Sequence, residues 1–319
     1  MNYILLLLGF VLLIKGADIF VDGASAVAKK AGIPPVIVGL TIVSLGTSAP
    51  ELAVSLISAL NGSNELAIGN VLGSNLFNTL MVLGVTTLVL PLVIIKDKIK
   101  NDFYVNIGVS IILFILTFDK LFGKSQNIIS RFDGIILILL CISYVAYLIF
   151  KSFKSDSSEL SEEEKNINIF VKIILMILSA SAIVIGGNLV VNSATSIALY
   201  FGMSEKLVGL TIVAMGTSLP ELVTSIIASL KGENDIALGN ILGSNIFNIL
   251  LILGVSSSVF PIVVSSSLMV DFAYLISITL FIFALIFFNS KSKKKLSRFE
   301  GILIVSLYIA YMVYIILRN

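Results

Sequence analysis

Ten apolar stretches separated by short polar ones make up most of this chain, at about 2–28, 35–61, 65–91, 103–118, 130–150, 168–200, 205–230, 234–261, 268–289 and 298–317. Most are long enough to cross a hydrocarbon core roughly 30 Å thick as a helix. Lipid offers backbone groups no hydrogen-bond partner, so stretches of this kind fold as helices that bond within themselves. The expected fold is all-α and polytopic, with about ten transmembrane helices. Two stretches break the pattern by placing a proline and a glutamate in mid-run: Pro50 with Glu51, and Pro220 with Glu221.

Those two stretches are copies of one another. Gly39 to Gly84 reads GLTIVSLGTSAPELAVSLISALNGSNELAIGNVLGSNLFNTLMVLG, and Gly209 to Gly254 reads GLTIVAMGTSLPELVTSIIASLKGENDIALGNILGSNIFNILLILG. They align without a gap at an offset of 170, with 28 of 46 positions identical. The likeness reaches outward: Gly16, Asp18, Ala24 and Gly32 meet Gly186, Asn188, Ala194 and Gly202, and Arg131-Phe132-Asp133-Gly134 meets Arg298-Phe299-Glu300-Gly301. Five segments per half is an odd number, so the second half enters the membrane in the opposite sense. An inverted repeat with broken core helices follows. The organisation read from this is a first transmembrane repeat over 1–152, a cytoplasmic linker over 153–167, and a second, inverted repeat over 168–319. Because the first stretch shares in the repeat, it is read as part of the folded protein, although Ala24-Ser25-Ala26 resembles a signal-peptide cleavage site.

Charge orients the bundle. With the N-terminus placed outside, fifteen lysines and arginines, from Lys29 and Lys30 to Lys293, Lys294, Lys295 and Arg298, fall on the inner side or its flanks. Only Lys120, Lys124, Arg131, Lys206 and Arg318 fall outside, so both termini are expected outside a cell membrane. The linker KSFKSDSSELSEEEK lacks the ligand spacing and turn glycine of a calcium loop and reads as a solvated tether. The run KSKKKLSR reads as a topology determinant. At 57% hydrophobic and 13% charged residues, with a mean hydropathy of +1.08, an ordinary soluble domain is excluded. The absence of histidine removes the usual zinc and copper ligands and histidine proton relays. The single Cys141 lies in an apolar run and implies no disulfide framework.

The chemistry sits in the repeated motif. Pro50 cannot donate a backbone hydrogen bond and Gly46 loosens the same turn, so the helix must break there. A break in lipid is tolerated where it lines a polar cavity or where an ion supplies the missing partner. One reading makes Glu51 a cap for the second half-helix, in a Ser-x-x-Glu box with Ser48. In the next segment Ser74 and Asn78 share a helical face, which is also the pattern of interhelical hydrogen-bond glue. Duplication favours a functional reading. Two carboxylates with hydroxyls and amides, meeting near the midplane without nitrogen or sulfur ligands, suit hard cations such as Ca²⁺ or Na⁺. Lys15, Asp18 and Asp22 also lie within a segment, on one face, and are expected to pair among themselves in the interior.

The motifs GTSAPE with GSNLFN, and GTSLPE with GSNIFN, resemble the two alpha repeats of the sodium/calcium exchanger family of cation/calcium antiporters. The resemblance covers the transmembrane layout. It implies an antiporter that exchanges Na⁺ for Ca²⁺ by alternating access, with segments one and six sliding across a core of segments two, three, seven and eight. It implies a Ca²⁺ site of Glu51 and Glu221 with the backbone oxygens of Thr47 and Thr217. Na⁺ sites would draw on the same groups with Ser48, Ser74, Ser218 and Ser244. Asn78 and Asn248 are both amides, whereas an acid at the second position is expected of the potassium-dependent branch, so transport is expected to be K⁺-independent. The resemblance also implies about three Na⁺ per Ca²⁺, an electrogenic cycle. No cofactor and no nucleic acid are implied; the partners are Ca²⁺, Na⁺ and membrane lipid, with a monomer as the default. Three alternatives stay open on sequence: a proton-coupled or other divalent-cation antiporter, a cation channel, and an intramembrane enzyme using the two acids as a dyad. Single-chain inverted repeats with broken helices speak against the channel, whose acids usually ring an oligomeric axis. The flanking hydroxyls and amides speak against the enzyme.

Overall fold

The computed structural model describes residues 1–123, 125–153, 168–202, 214–288 and 291–318. Helix α1 (Asn2–Ala31) is followed by a bent pair, α2 (Pro35–Thr47) and α3 (Ala49–Leu60), whose axes differ by 51°. Then α4 (Asn64–Val89), α5 (Lys96–Thr117) and α6 (Arg131–Phe153) complete the first half. The second half holds α7 (Ile169–Tyr200), α8 (Leu219–Leu230), α9 (Asn234–Val259), α10 (Ser266–Phe287) and α11 (Arg298–Arg318). Among the described residues eight of these helices are each long and apolar enough to cross a bilayer, and the bent pair makes a ninth span. The tenth is the stretch that ends in α8; its first part, 203–213, lies outside the described residues, as does most of the linker. The fourth stretch starts seven residues earlier than its apolar run, because Lys96 to Lys100 extend the helix as a charged turn that reaches the interface.

Burial separates core from periphery. The most apolar window of α9 is 94% buried and that of α4 is 72%, against 17–39% for α1, α5, α6, α7, α10 and α11. The two repeated motifs therefore form the centre and the other helices face lipid. Each half of the centre carries a widened π-turn, Phe77–Val82 in α4 and Asn248–Leu253 in α9, beginning two to three residues past the asparagine of Gly-Ser-Asn. A further π-turn, Gly39–Val43, lies in α2. Here α2 crosses α9 so closely that a Cβ on Gly39 would stand 2.6 Å from the Ile236 carbonyl oxygen, which only glycine allows.

Two short antiparallel ladders join the halves at opposite ends of the bundle. Strand β1 (Val93–Ile95) pairs with β4 (Lys293–Lys295), and β2 (Ile128–Ile129) pairs with β3 (Ile262–Val263). The first ladder takes two loops both expected inside, the second two loops both expected outside. That agreement supports the alternation of sides along the chain.

A second duplicated feature escaped the sequence reading. In the first half Tyr144 Oη donates to buried Asp102 at 3.1 Å, and Lys151 Nζ lies 3.3 Å from the same carboxylate. In the second half Tyr311 Oη donates to Asp271 at 3.0 Å and Arg318 pairs with it at 2.8 Å. Each clamp ties neighbouring helices, α5 to α6 and α10 to α11.

The expected mutual pairing of Lys15 with Asp18 and Asp22 does not occur. Lys15 is exposed, and both aspartates instead reach Lys231, just past α8, at 2.7 and 2.6 Å. Their side chains keep 42% and 58% of their exposure, so the cluster lies at a rim rather than in the interior. Burial works against the Lys231 charge, but its hydrogen bonds to Asp18 and Asp22 prevail and hold the ammonium above the ordinary lysine value. The physical reason for the difference is the inverted repeat: α1 packs on α8 of the other half, and a cation there is nearer than one on α1 itself. Ser25 donates to Glu233 in the same loop and extends this latch.

Candidate ion-binding site

At the break between α2 and α3 the helical ladder is interrupted. Ser48 N bonds to Ser44 O and Leu52 N to Ser48 O, but Pro50 offers no donor to the Gly46 carbonyl. Among the described residues the Thr47 carbonyl also lacks its i+4 backbone donor. The second half repeats this at Ser218, between the short turn Ala214–Gly216 and α8, where Leu222 N bonds to Ser218 O. Buried carbonyls without partners are costly in a membrane interior, so these ends call for a ligand.

The first turns of α3 and α8 carry Glu51 and Glu221, and both side chains are fully buried. The alternative reading of a Ser48–Glu51 capping box does not hold: α3 has no side-chain cap, because the Ser48 hydroxyl points across to the other repeat. It donates to Glu221 Oε1 at 2.8 Å and lies 3.0 Å from Ser244 Oγ, from which it can accept. The symmetric bond runs the other way, from Ser218 Oγ to Glu51 Oε1 at 3.0 Å. Each acid is thus held by the serine of the opposite half, which closes the two broken helices around one centre. Ser244 adds a longer contact to Glu221 Oε1 at 3.4 Å. Oε2 of both glutamates, Ser74 Oγ, both amide atoms of Asn78 and Asn248 Oδ1 are buried without a hydrogen-bond partner among the described residues.

The hydroxyls of Thr47 and Thr217, whose backbone oxygens are the expected ligands, bond elsewhere. Thr47 Oγ1 donates to Asn240 Oδ1 at 3.1 Å and Thr217 Oγ1 to Asn70 Oδ1 at 3.5 Å, while both carbonyls stay open for a ligand. Asn248 Nδ2 donates to Asn75 Oδ1 at 3.0 Å, so its carbonyl oxygen is the free end. Asn75 and Asn245 stitch α4 to α9: Asn75 Nδ2 reaches the Asn245 carbonyl and Asn245 Nδ2 reaches Thr79. Sequence reasoning passed over Asn70, Asn240, Asn75 and Asn245. Each is nonetheless identical between the two copies at the 170-residue offset, and that was the available signal.

The chemistry of the cluster is that of oxygen alone. Among the described residues no lysine or arginine pairs with either glutamate, and no group of three or more His, Cys, Asp or Glu is assembled. Two uncompensated carboxylates in a low-dielectric interior cost several kcal/mol each by general estimates. A divalent hard cation, or several monovalent ones, removes that cost and uses the free oxygens.

A family model described as sodium/calcium exchanger protein matches residues 1–150 and 171–317 of this chain. The sodium/calcium exchanger MaX1 of Methanosarcina acetivorans is 35% identical over 98% of this chain and 97% of its own length. The inner membrane protein YrbG of Escherichia coli is 36% identical over 81% of this chain and 79% of its own. Among solved structures, the sodium-calcium exchanger NCX_Mj soaked with 10 mM Na⁺ and zero Ca²⁺ superposes with a TM-score of 0.83 at 29% identity, over 98% of both chains.

Proposed function

Because this chain belongs to the sodium/calcium exchanger family, transport proteins rather than enzymes, we propose that it exchanges Na⁺ for Ca²⁺ through the site of Glu51 and Glu221. The observation that carries the reading is the pair of fully buried glutamates, each with an unpartnered oxygen and a serine from the opposite repeat. Ca²⁺ is held by Oε2 of both acids with the Thr47 and Thr217 carbonyls; its two charges cancel theirs. Na⁺ uses the same acids with Ser48, Ser74, Ser218, Ser244 and the oxygens of Asn78 and Asn248. Because no further acid joins the site among the described residues, about three Na⁺ in place of one Ca²⁺ leaves one excess positive charge, and the cycle is electrogenic. The amides at 78 and 248 make it independent of K⁺. Access alternates as α1 and α7, packed on each other, move across the core of α2, α3, α4, α8 and α9. The lysine bias supports a cell-membrane orientation with both termini outside, the two repeats flanking a linker over 153–167.

The test is Ca²⁺ uptake into proteoliposomes loaded with Na⁺ and diluted into Na⁺-free medium. Uptake should saturate with Ca²⁺, collapse when the Na⁺ gradient is removed, continue when K⁺ is replaced by an inert cation, and respond to voltage. Uptake driven by a proton gradient and indifferent to Na⁺ would replace this reading with proton coupling.

A further inference from the structure

Two asparagines outside the expected ligand set make the most connected polar contacts in the centre, and they do so twice. Asn240, on α9 and fully buried, donates through Nδ2 to the Glu221 carbonyl at 3.3 Å and to Ser225 Oγ at 2.9 Å. Its Oδ1 accepts from Thr47 Oγ1 of the other repeat at 3.1 Å, shorter than the alternative from Thr47 to the Ser44 carbonyl at 3.3 Å. Asn70, its counterpart on α4, donates to the Glu51 carbonyl at 3.3 Å and to Ser55 Oγ at 2.9 Å, and accepts from Thr217 Oγ1 at 3.5 Å. Both amide hydrogens of each side chain are therefore committed, together with one lone pair of the oxygen. Neither asparagine is left free to act as a principal ion ligand.

What each one joins gives it a role. Asn240 grips the turn of α8 that carries Glu221 and, with its other end, the threonine whose carbonyl is orphaned at the opposite break. Resting on the site reading above, we propose that Asn240 and Asn70 are positioning residues of the transport site. Each fixes the carboxylate-bearing turn of its own repeat and aims the threonine carbonyl of the opposite repeat at the same ion. The arrangement resembles the outer shell of a metal site, where partners of the ligands set their direction and typically change affinity 10- to 100-fold when removed. It also gives the Thr47 and Thr217 hydroxyls a task that does not involve touching the ion: they are handles by which the carbonyl is oriented. A threonine hydroxyl left without this acceptor would turn back onto its own helix, as hydroxyls in helices commonly do.

The experiment measures Na⁺-driven Ca²⁺ uptake and the apo thermal midpoint for Asn240→Leu, Thr47→Val, Thr47→Ser and the double variant Asn240→Leu/Thr47→Val, with Glu221→Gln as the control. Asn240→Leu and Thr47→Val should each raise the half-saturating Ca²⁺ concentration about tenfold, while Thr47→Ser, which keeps the hydroxyl, stays near the unmodified protein. The double variant should be no worse than about twice the poorer single one, because both break the same link. A merely structural role would lower the thermal midpoint and leave half-saturation unchanged. Thr47→Val is isosteric and gives a reading even if Asn240→Leu does not fold. Normal half-saturation in Thr47→Val and Asn240→Leu, or multiplied effects in the double variant, with Glu221→Gln inactive, would overturn this inference alone. Normal uptake by Glu221→Gln would overturn the site itself, and this inference with it.

Discussion

At the scale of single residues the molecule is governed by two buried acids with which no lysine or arginine pairs among the described residues. Glu51 and Glu221 are fully buried, and each spends only one oxygen on a serine. Neutralising either by Glu51→Gln or Glu221→Gln should abolish Ca²⁺ transport while leaving apo stability equal or higher, since an uncompensated buried charge is removed. Thermal unfolding beside flux measurements checks this; a large loss of stability with transport retained would assign the acids to the scaffold. The amide at 248 allows a finer test. Asn248→Asp places a third carboxylate at an oxygen now unpartnered, and should change Na⁺ affinity or introduce K⁺ sensitivity, read as a shift in the Na⁺ concentration that half-inhibits Ca²⁺ binding. The acids, serines and threonines were legible because duplication singles out polar groups that an apolar segment would otherwise avoid. The side on which Ser48 bonds was not. A Ser-x-x-Glu spacing is a local cap in a soluble helix, and only the assembled repeats bring Glu221 within 2.8 Å of that hydroxyl.

At the scale of elements, the break in α2 and α3 turns on one missing donor. Pro50→Ala would return an N–H to the Gly46 carbonyl, favour a continuous helix by up to about 3 kcal/mol, and withdraw the Thr47 carbonyl from the site. The expected outcome is a higher thermal midpoint with weaker Ca²⁺ affinity; unchanged affinity would show that the break does not shape the site. The clamps on the outer helices behave oppositely. Tyr311→Phe removes a hydrogen bond to the buried Asp271 carboxylate and should cost about 1.5–3 kcal/mol of stability, with Ca²⁺ half-saturation unaltered. A shift in half-saturation would mean that α10 and α11 communicate with the centre. The break was legible from Gly46 and Pro50, whose backbone effects are local. The clamps were not, because Asp102 and Asp271 stand 169 apart while Tyr144 and Tyr311 stand 167 apart, and such slippage hides a pair that only packing reveals.

At the scale of the whole molecule, ten crossings and their alternation were readable from apolar length and lysine distribution, and the ladders between β1 and β4 and between β2 and β3 agree with that alternation. The contacts between halves were not readable, as the partner of Asp18 and Asp22 illustrates: 213 residues separate Asp18 from Lys231. That latch fastens α1, the helix proposed to move, to the loop beside α8. Lys231→Met should destabilise the latched state by roughly 1 kcal/mol, a shift of about fivefold in the balance between access states. A cysteine at Ser229, buried on α8, should then react about that much faster with an impermeant thiol reagent; an unchanged rate would make the ion pair incidental. All of these effects require both repeats to contribute to one ion site. Equilibrium binding of radioactive Ca²⁺ to the purified protein, with and without Na⁺, measures it most directly. The expected result is one Ca²⁺ per chain, displaced by Na⁺ with a Hill coefficient above one, and no saturable binding in either Glu51→Gln or Glu221→Gln. Saturable Ca²⁺ binding that survives either substitution, or that Na⁺ fails to displace, would contradict it.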